Sequence, residues 1–116
     1  MSLSDARLKH NQQVVPITTL THIFDQVETK EYDFQPPGSD IDGQPLPAER
    51  RMGIIAQEVQ SVIPTEWTNV IGSKPVNDVV YQTLDYSRLV CVLWGVCKQQ
   101  KQRLDDLELR LSNLEA

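Results

Sequence analysis

The chain has 116 residues, 40 % of them hydrophobic and 23 % charged, with a net charge of −5. This composition excludes a disordered chain, and the acidic balance excludes non-specific binding to nucleic acid, whose phosphates demand a basic surface. No apolar run approaches the ~20 residues that cross a bilayer, so no membrane partner is expected.

No charged-then-apolar leader opens the chain, and the expectation is a soluble protein made in the cytoplasm. The length suits one domain, marginal in stability unless it associates. Met1, Ser2 and Leu3 carry no pattern and read as an upstream remnant. Ser4 and Asp5 are candidate helix caps ahead of the weakly periodic Leu8, Gln12 and Val15, a stretch that Pro16 ends.

Between 18 and 27, Leu20, Ile23, Phe24 and Val27 form the apolar stripe of an amphipathic helix, with Thr18 or Thr19 as its cap. Tyr32 and Phe34 alternate with Glu31, Asp33 and Gln35, the pattern of a short half-buried strand. Residues 36–51 hold four prolines and two glycines and read as a solvated surface loop. The Asp40-Ile41-Asp42-Gly43 run invites comparison with a calcium loop. The twelfth position counted from Asp40 is Arg51, however, where that loop needs a glutamate.

Met52, Gly53, Ile54 and Ile55 form a compact apolar run that predicts a strand passing directly into a helix over 56–63, stopped by Pro64. Residues 67–81 predict a hairpin, with Val70 and Ile71 on one side and Val79, Val80 and Tyr81 returning. Gly72, Ser73, Lys74 and Pro75 are its expected turn. The fold class expected is α+β: a small mixed head of short strands and helices over 4–83, then a long helix over 84–116.

That helix carries the strongest periodic signal. Val90, Cys97, Leu104 and Leu111 fall at position a of a seven-residue repeat, and Tyr86, Leu93, Gln100, Leu107 and Leu114 at d. Arg103 and Arg110 occupy g, while Glu108 and Glu115 occupy e of the following heptad, so both pairs attract across a parallel interface. The wider apolar face of 86–96 suits packing on the helix's own domain, whereas 104–114 suits association. A parallel coiled coil is expected, with Val90, Leu93, Cys97, Leu104, Leu107, Leu111 and Leu114 as its contact residues. Leucine at both a and d leaves two or three strands open.

Cys91 and Cys97 stand about 240° apart on a helix and cannot bridge within it. Together with His10 and His22 they match no zinc spacing, so neither a metal nor a cofactor is expected.

Nucleophilic chemistry has few candidates. His10 or His22 with Asp5 or Asp25 carries no triad mark, and Ser4 with Lys9 is the economical alternative. A lysine must be neutral to act as a base. A free one titrates near about 10.4, so burial or neighbouring positive charge has to lower it, and Arg7 is a nearby source of charge. Five residues on an α-helix turn through about 140°, so Ser4 and Lys9 meet only if Ser4 lies outside a helix, folded back on Lys9, or if the lysine comes from another subunit. Taken alone, the segment reads more simply as a helix cap followed by a solvated lysine.

Three blocks in order change that reading. The run from Ser4 to Asn11 (SDARLKHN) resembles the S-D-x-R-L-K-x-N opening of the self-cleaving intramolecular chaperone domain found at the C-terminus of phage tailspikes and tail fibres, and also in the myelin regulatory factor. Met52 to Val59 (MGIIAQEV), followed by Pro64, is similar to that family's G-x-I-A-Q-E-V…P segment. Val80 to Leu84 (VYQTL), or the nearby Leu84 to Leu89 (LDYSRL), resembles the v-x-Y-x-x-L lead into its terminal helix. The sequence departs from the family at Gln12, where an apolar residue is common, and in the proline-rich loop.

The resemblance implies a homotrimer that helps the upstream fibre or stalk of the same polypeptide to fold, then frees itself by cutting the bond before the motif serine. It makes Ser4 the nucleophile and Lys9 its general base, with Asp5 and Asn11 as orienting residues and Leu3–Ser4 as the bond cut. It also implies action in the host-cell cytoplasm during virion assembly and release from the mature fibre after cleavage. A purely structural trimerisation cap that never cleaves is the alternative. An enzyme acting on outside substrates ranks below both, because no cleft motif or phosphate loop is visible.

Overall fold

Proline punctuation and two apolar stripes decide most of the architecture. In the computed structural model, which describes residues 2–116, the predicted upstream remnant is represented by Ser2 and Leu3, and Met1 lies outside the described residues. A 3-10 turn at Ala6–Leu8 is followed by α1 (Ile17–Gln26), β1 (Lys30–Phe34), β2 (Glu49–Gly53), α2 (Ala56–Gln60), β3 (Ile71–Val76), β4 (Val79–Leu84) and α3 (Tyr86–Glu115). The fold is thus a small mixed α+β head with short antiparallel strands, ending in a long C-terminal helix.

The stripe on α1 buries Ile23, 2 % exposed, against Val92 and Val96 of α3, with Leu20, Val27, Val62, Ile63 and Trp67 packed around them. Thr18 and Thr19 do not cap this helix. Pro16 does, its carbonyl accepting from Thr19 N at 3.0 Å and Leu20 N at 3.3 Å, and no side chain bonds the helix start. A proline loses nothing there, because the first N–H groups of a helix lack intrahelical partners anyway. Where α1 crosses α3, a β-carbon on Gly95 would collide with Leu20 Cδ1. The glycine that interrupts the run of helix formers therefore makes room for the Leu20 side chain of α1.

β1 and β2 pair antiparallel from Lys30 opposite Gly53 to Phe34 opposite Glu49. Glu49, Arg50 and Arg51, expected in the loop, belong to β2 because β1 offers them cross-strand partners. Arg50 Nη1 lies 3.2 Å from Asp33 Oδ1, and the Arg51 guanidinium sits 4.3 Å from the Phe34 ring centroid. In the loop between the strands, Asp40 Oδ1 accepts from Asp42 N at 2.9 Å and from Gln44 N at 2.8 Å. The acid that suggested a calcium ligand thus fixes a turn through its side chain, which accepts from the backbone that follows it.

The second hairpin turns at Asn77-Asp78, not at 72–75 as expected. Both residues have positive φ, 50° and 65°, as a tight two-residue connection requires, while Gly72 to Pro75 run inside β3. The edge of a two-stranded ribbon tolerates Pro75. Helix α2 stops earlier than predicted. Val62 N and Ile63 N both bond Val59 O, at 3.1 and 3.2 Å, which tightens the chain before Pro64. Asp85 then starts α3, its carboxylate accepting from Ser87 N at 3.0 Å. The Ser87 hydroxyl also donates to that carboxylate and, as the largest effect, holds the Asp85 carboxyl below its ordinary value.

The radius of gyration is 20.1 Å, against about 13 Å for a compact chain of this length. The accessible surface is 9793 Å², against about 6,400 Å² for a compact monomer of this mass. Much of the excess lies on α3, which outruns the head. Among the described residues, no helix is long and apolar enough to cross a membrane.

Gly53 ends β2 beneath two tyrosines. A β-carbon there would stand 2.7 Å from both the Tyr32 and the Tyr86 hydroxyl oxygens. Gly53→Ala is therefore expected to cost about 1–3 kcal/mol of stability through overpacking. A thermal-melt double-mutant cycle checks this: the penalty should fall at least by half once Tyr32→Phe and Tyr86→Phe remove both oxygens.

Candidate functional site

The N-terminal segment explains how Ser4 and Lys9 meet. Asp5 has extended backbone (φ −70°, ψ 132°), and its carboxylate accepts from Arg7 N at 2.8 Å. Leu8 N donates to Asp5 O at 3.0 Å and Lys9 N to Ala6 O at 3.1 Å, closing the 3-10 turn. Such a turn needs only three residues per revolution, so the chain enters and leaves on one side. Lys9 returns to extended backbone (φ −118°, ψ 100°). Its Nζ then lies 2.6 Å from Ser4 Oγ. The short helical turn that the candidate caps allow forms with Asp5 as its cap, and the arrangement is the folded-back one within a single chain.

Asp5 and Asn11 act here through local geometry. Asp5 grips Arg7 by both carboxylate oxygens, Oδ1 to Nε at 3.1 Å and Oδ2 to Nη2 at 2.8 Å, which staples the turn between the serine and the lysine. The Arg7 guanidinium, then the Arg7 backbone N–H, hold the Asp5 carboxyl below its ordinary value, and Asp5 raises Arg7 in return. Arg7 was expected to supply positive charge to the lysine. With its side chain 88 % exposed and paired to Asp5, most of that field is cancelled. Asn11 contributes a left-handed backbone (φ 53°), which asparagine tolerates. Gln12 Nε2 bonds Lys9 O at 3.3 Å across that bend.

The proton sets the chemical sense of the pair. An ammonium at Nζ donates to Oγ, whereas a neutral amine at the same distance accepts the hydroxyl proton and frees the oxygen for attack. Both residues are exposed in the single chain, as is Leu3 at 83 %. The Leu3–Ser4 bond therefore lies in an accessible segment.

The second block packs under the start of α3. Ile54 N donates to the Tyr86 hydroxyl at 3.0 Å, and that hydroxyl donates to Ile54 O at 3.2 Å. Lys30 Nζ bonds Glu58 Oε1 at 2.5 Å, and Val59 is fully buried. Tyr86, which heptad spacing assigns to the seam, instead clamps α3 to the β2–α2 junction. This agrees with the wider apolar face of 86–96, which suits packing on the helix's own domain.

The remaining seam residues lie together on a side of α3 about a quarter turn round from its packed face, with Leu93 at the border between the two. Val90, Leu93, Leu104, Leu107, Leu111 and Leu114 are between 48 and 83 % exposed, and Cys97 is an exposed free thiol like Cys91. The buried Val92 and Val96 face α1. Helix α3 thus has two apolar faces, one covered and one bare. Among the described residues, no group of three or more His, Cys, Asp or Glu side chains is placed to hold a metal ion.

A peptidase family model described as "Chaperone of endosialidase" matches residues 4–68, more than half of the chain, beginning at Ser4 itself. No curated protein matches the chain.

The depressed Asp5 carboxyl gives a signed pH dependence. The staple is present above the carboxyl's unfolded value and is lost as pH falls through the lower folded value. The Arg7 amide resonance should therefore titrate with a midpoint below that of an ordinary aspartate. In Asp5→Asn the transition should vanish, with the Ala6–Leu8 amides shifted toward random-coil positions.

Proposed function

The chain belongs to the "Chaperone of endosialidase" peptidase family, whose members are C-terminal intramolecular chaperones, and from that premise we propose how this one works. Three copies of a viral fibre or tailspike polypeptide associate through α3, and the head over 4–83 assists folding of the stalk that precedes it. The domain then releases itself at the Leu3–Ser4 bond. The work takes place in the host-cell cytoplasm during virion assembly.

The observation that carries the cleavage reading is the 2.6 Å approach of Lys9 Nζ to Ser4 Oγ. Neutral Lys9 takes the hydroxyl proton, and Ser4 Oγ attacks the carbonyl carbon of Leu3. The tetrahedral intermediate breaks its C–N bond, and the proton returns from Lys9 to the departing Ser4 amine. The resulting ester joins the Leu3 carbonyl to Ser4 Oγ. Water hydrolyses it, leaving a carboxylate at Leu3 and a free hydroxyl and new N-terminus at Ser4. Asp5 and Asn11 hold the turn in shape.

Folding physics gives the device its purpose. Stalks built from long-range β contacts fold slowly and expose strand edges that aggregate. Helices that associate early raise the local concentration of three chain ends and fix their register. The bare seam of α3 and the excess surface support association.

A non-cleaving trimerisation cap is the second reading, and the exposure of Ser4 and Lys9 favours it. Attaching an upstream segment and measuring the intact mass separates the two. Self-cleavage predicts a product beginning at Ser4, abolished by Ser4→Ala and by Lys9→Ala. Uncut chain throughout, in a demonstrated trimer, refutes it. Leu107→Asp is expected to give monomers by light scattering, and an unchanged oligomer refutes the seam.

A further inference from the structure

One exposed aromatic side chain has no role in the seam or the dyad. Trp94 is 74 % exposed, whereas Trp67 packs against the Ile23 cluster. In the heptad frame Trp94 stands at e, on one flank of the seam, and Leu89 stands at g on the other flank. Lys98 adjoins Trp94 and makes its flank basic, while Lys101 beside it is paired with Asp105 at 3.2 Å.

Beyond Leu89, α1 and α3 leave a groove of about 530 Å³, walled by Phe24, Val27, Leu89 and Leu93, with Asp25 and Glu28 also lining it. Pockets of roughly 300–1,000 Å³ accept drug-sized groups, so an indole fits. This flank is apolar with an acidic border, the complement of the basic flank that carries Trp94.

In a parallel coiled coil, a g residue faces the e residue five positions on in its neighbour. Arg103 with Glu108 and Arg110 with Glu115 obey that rule with opposite charges. The same rule sets Leu89 of one copy against Trp94 of the next. We propose that the Trp94 indole of each copy docks into the α1–α3 groove of its neighbour, a second copy of this chain. This rests on the parallel coiled-coil reading.

The indole face covers Leu89, Leu93 and Phe24, and its N–H donates to the Asp25 or Glu28 carboxylate, the polar partner a buried tryptophan needs. Lys98, one turn further along α3, approaches the same carboxylates. The docked tryptophan ties the head of one copy to the helix of the next, so heads and helices assemble as one unit.

The test joins oligomeric state to the environment of Trp94. In Trp67→Phe, Trp94 is the sole tryptophan, and light scattering reports the assembly. The expected result is a trimer in which acrylamide quenches Trp94 several-fold less than in the Leu107→Asp monomer. Trp94→Ala should weaken association by about thirty-fold, as loss of a buried aromatic anchor does, and Phe24→Glu should weaken it similarly. If Trp67→Phe fails to fold, fluorotryptophan labelling of the unsubstituted chain reads the same burial, with Trp94→Phe assigning the resonance. A trimer with Trp94 as accessible as in the monomer overturns the docking and leaves the coiled coil standing. A chain that stays monomeric overturns both.

Discussion

The packing of α1 across α3 is the contact on which the rest of the molecule depends. Ile23 meets Val92 and Val96 there, and the absence of a side chain at Gly95 lets Leu20 close in. Few other residues are fully buried, so this crossing carries much of what holds the head to the long helix. It also decides which face of α3 is spent. With Val92 and Val96 committed to α1, the leucine and valine row at a and d stays bare, so one helix carries a covered and an uncovered apolar face.

Much of this was legible in the sequence, and each miss has a physical cause. The stripe on α1 and the seam of α3 are strong periodic signals, and both helices lie where the spacing puts them to within a residue or two. The second hairpin was legible as a pair of strands but not at its turn. Glycine and proline drew attention to 72–75, whereas Asn77 and Asp78 adopt left-handed backbone together, which those side chains permit without announcing it. Glu49 to Arg51 look like loop by composition and become strand because Asp33 and Phe34 lie opposite. That information is tertiary. Thr18 and Thr19 are better caps than Pro16 by preference, yet the proline fixes where the helix begins.

The site was legible in a different way. Residue types and order pointed to Ser4 and Lys9, but an α-helical reading of their spacing kept them apart. The turn that joins them is a short 3-10 segment, and Asp5, a candidate cap from the sequence, holds it by accepting from Arg7 N. Arg7 itself was misread: charge counted along the sequence ignores the carboxylate two residues earlier. Gly53 and Tyr86 both stand in recognised blocks, but their meeting was not legible because it depends on a contact between the end of β2 and the start of α3.

The shape of the chain governs how it moves through water. With principal extents of 75 × 38 × 25 Å, a single copy sweeps out the hydrodynamic volume of a much heavier sphere. Drag and sieving scale with that outline and not with mass, so a solitary chain migrates as a larger particle than its mass implies. Side-by-side association of copies along α3 thickens such a rod without much lengthening it. Its tumbling about the long axis therefore slows more, in proportion, than its end-over-end rotation. Elongation of this kind makes rotational anisotropy a more direct reporter of the number of chains than apparent size.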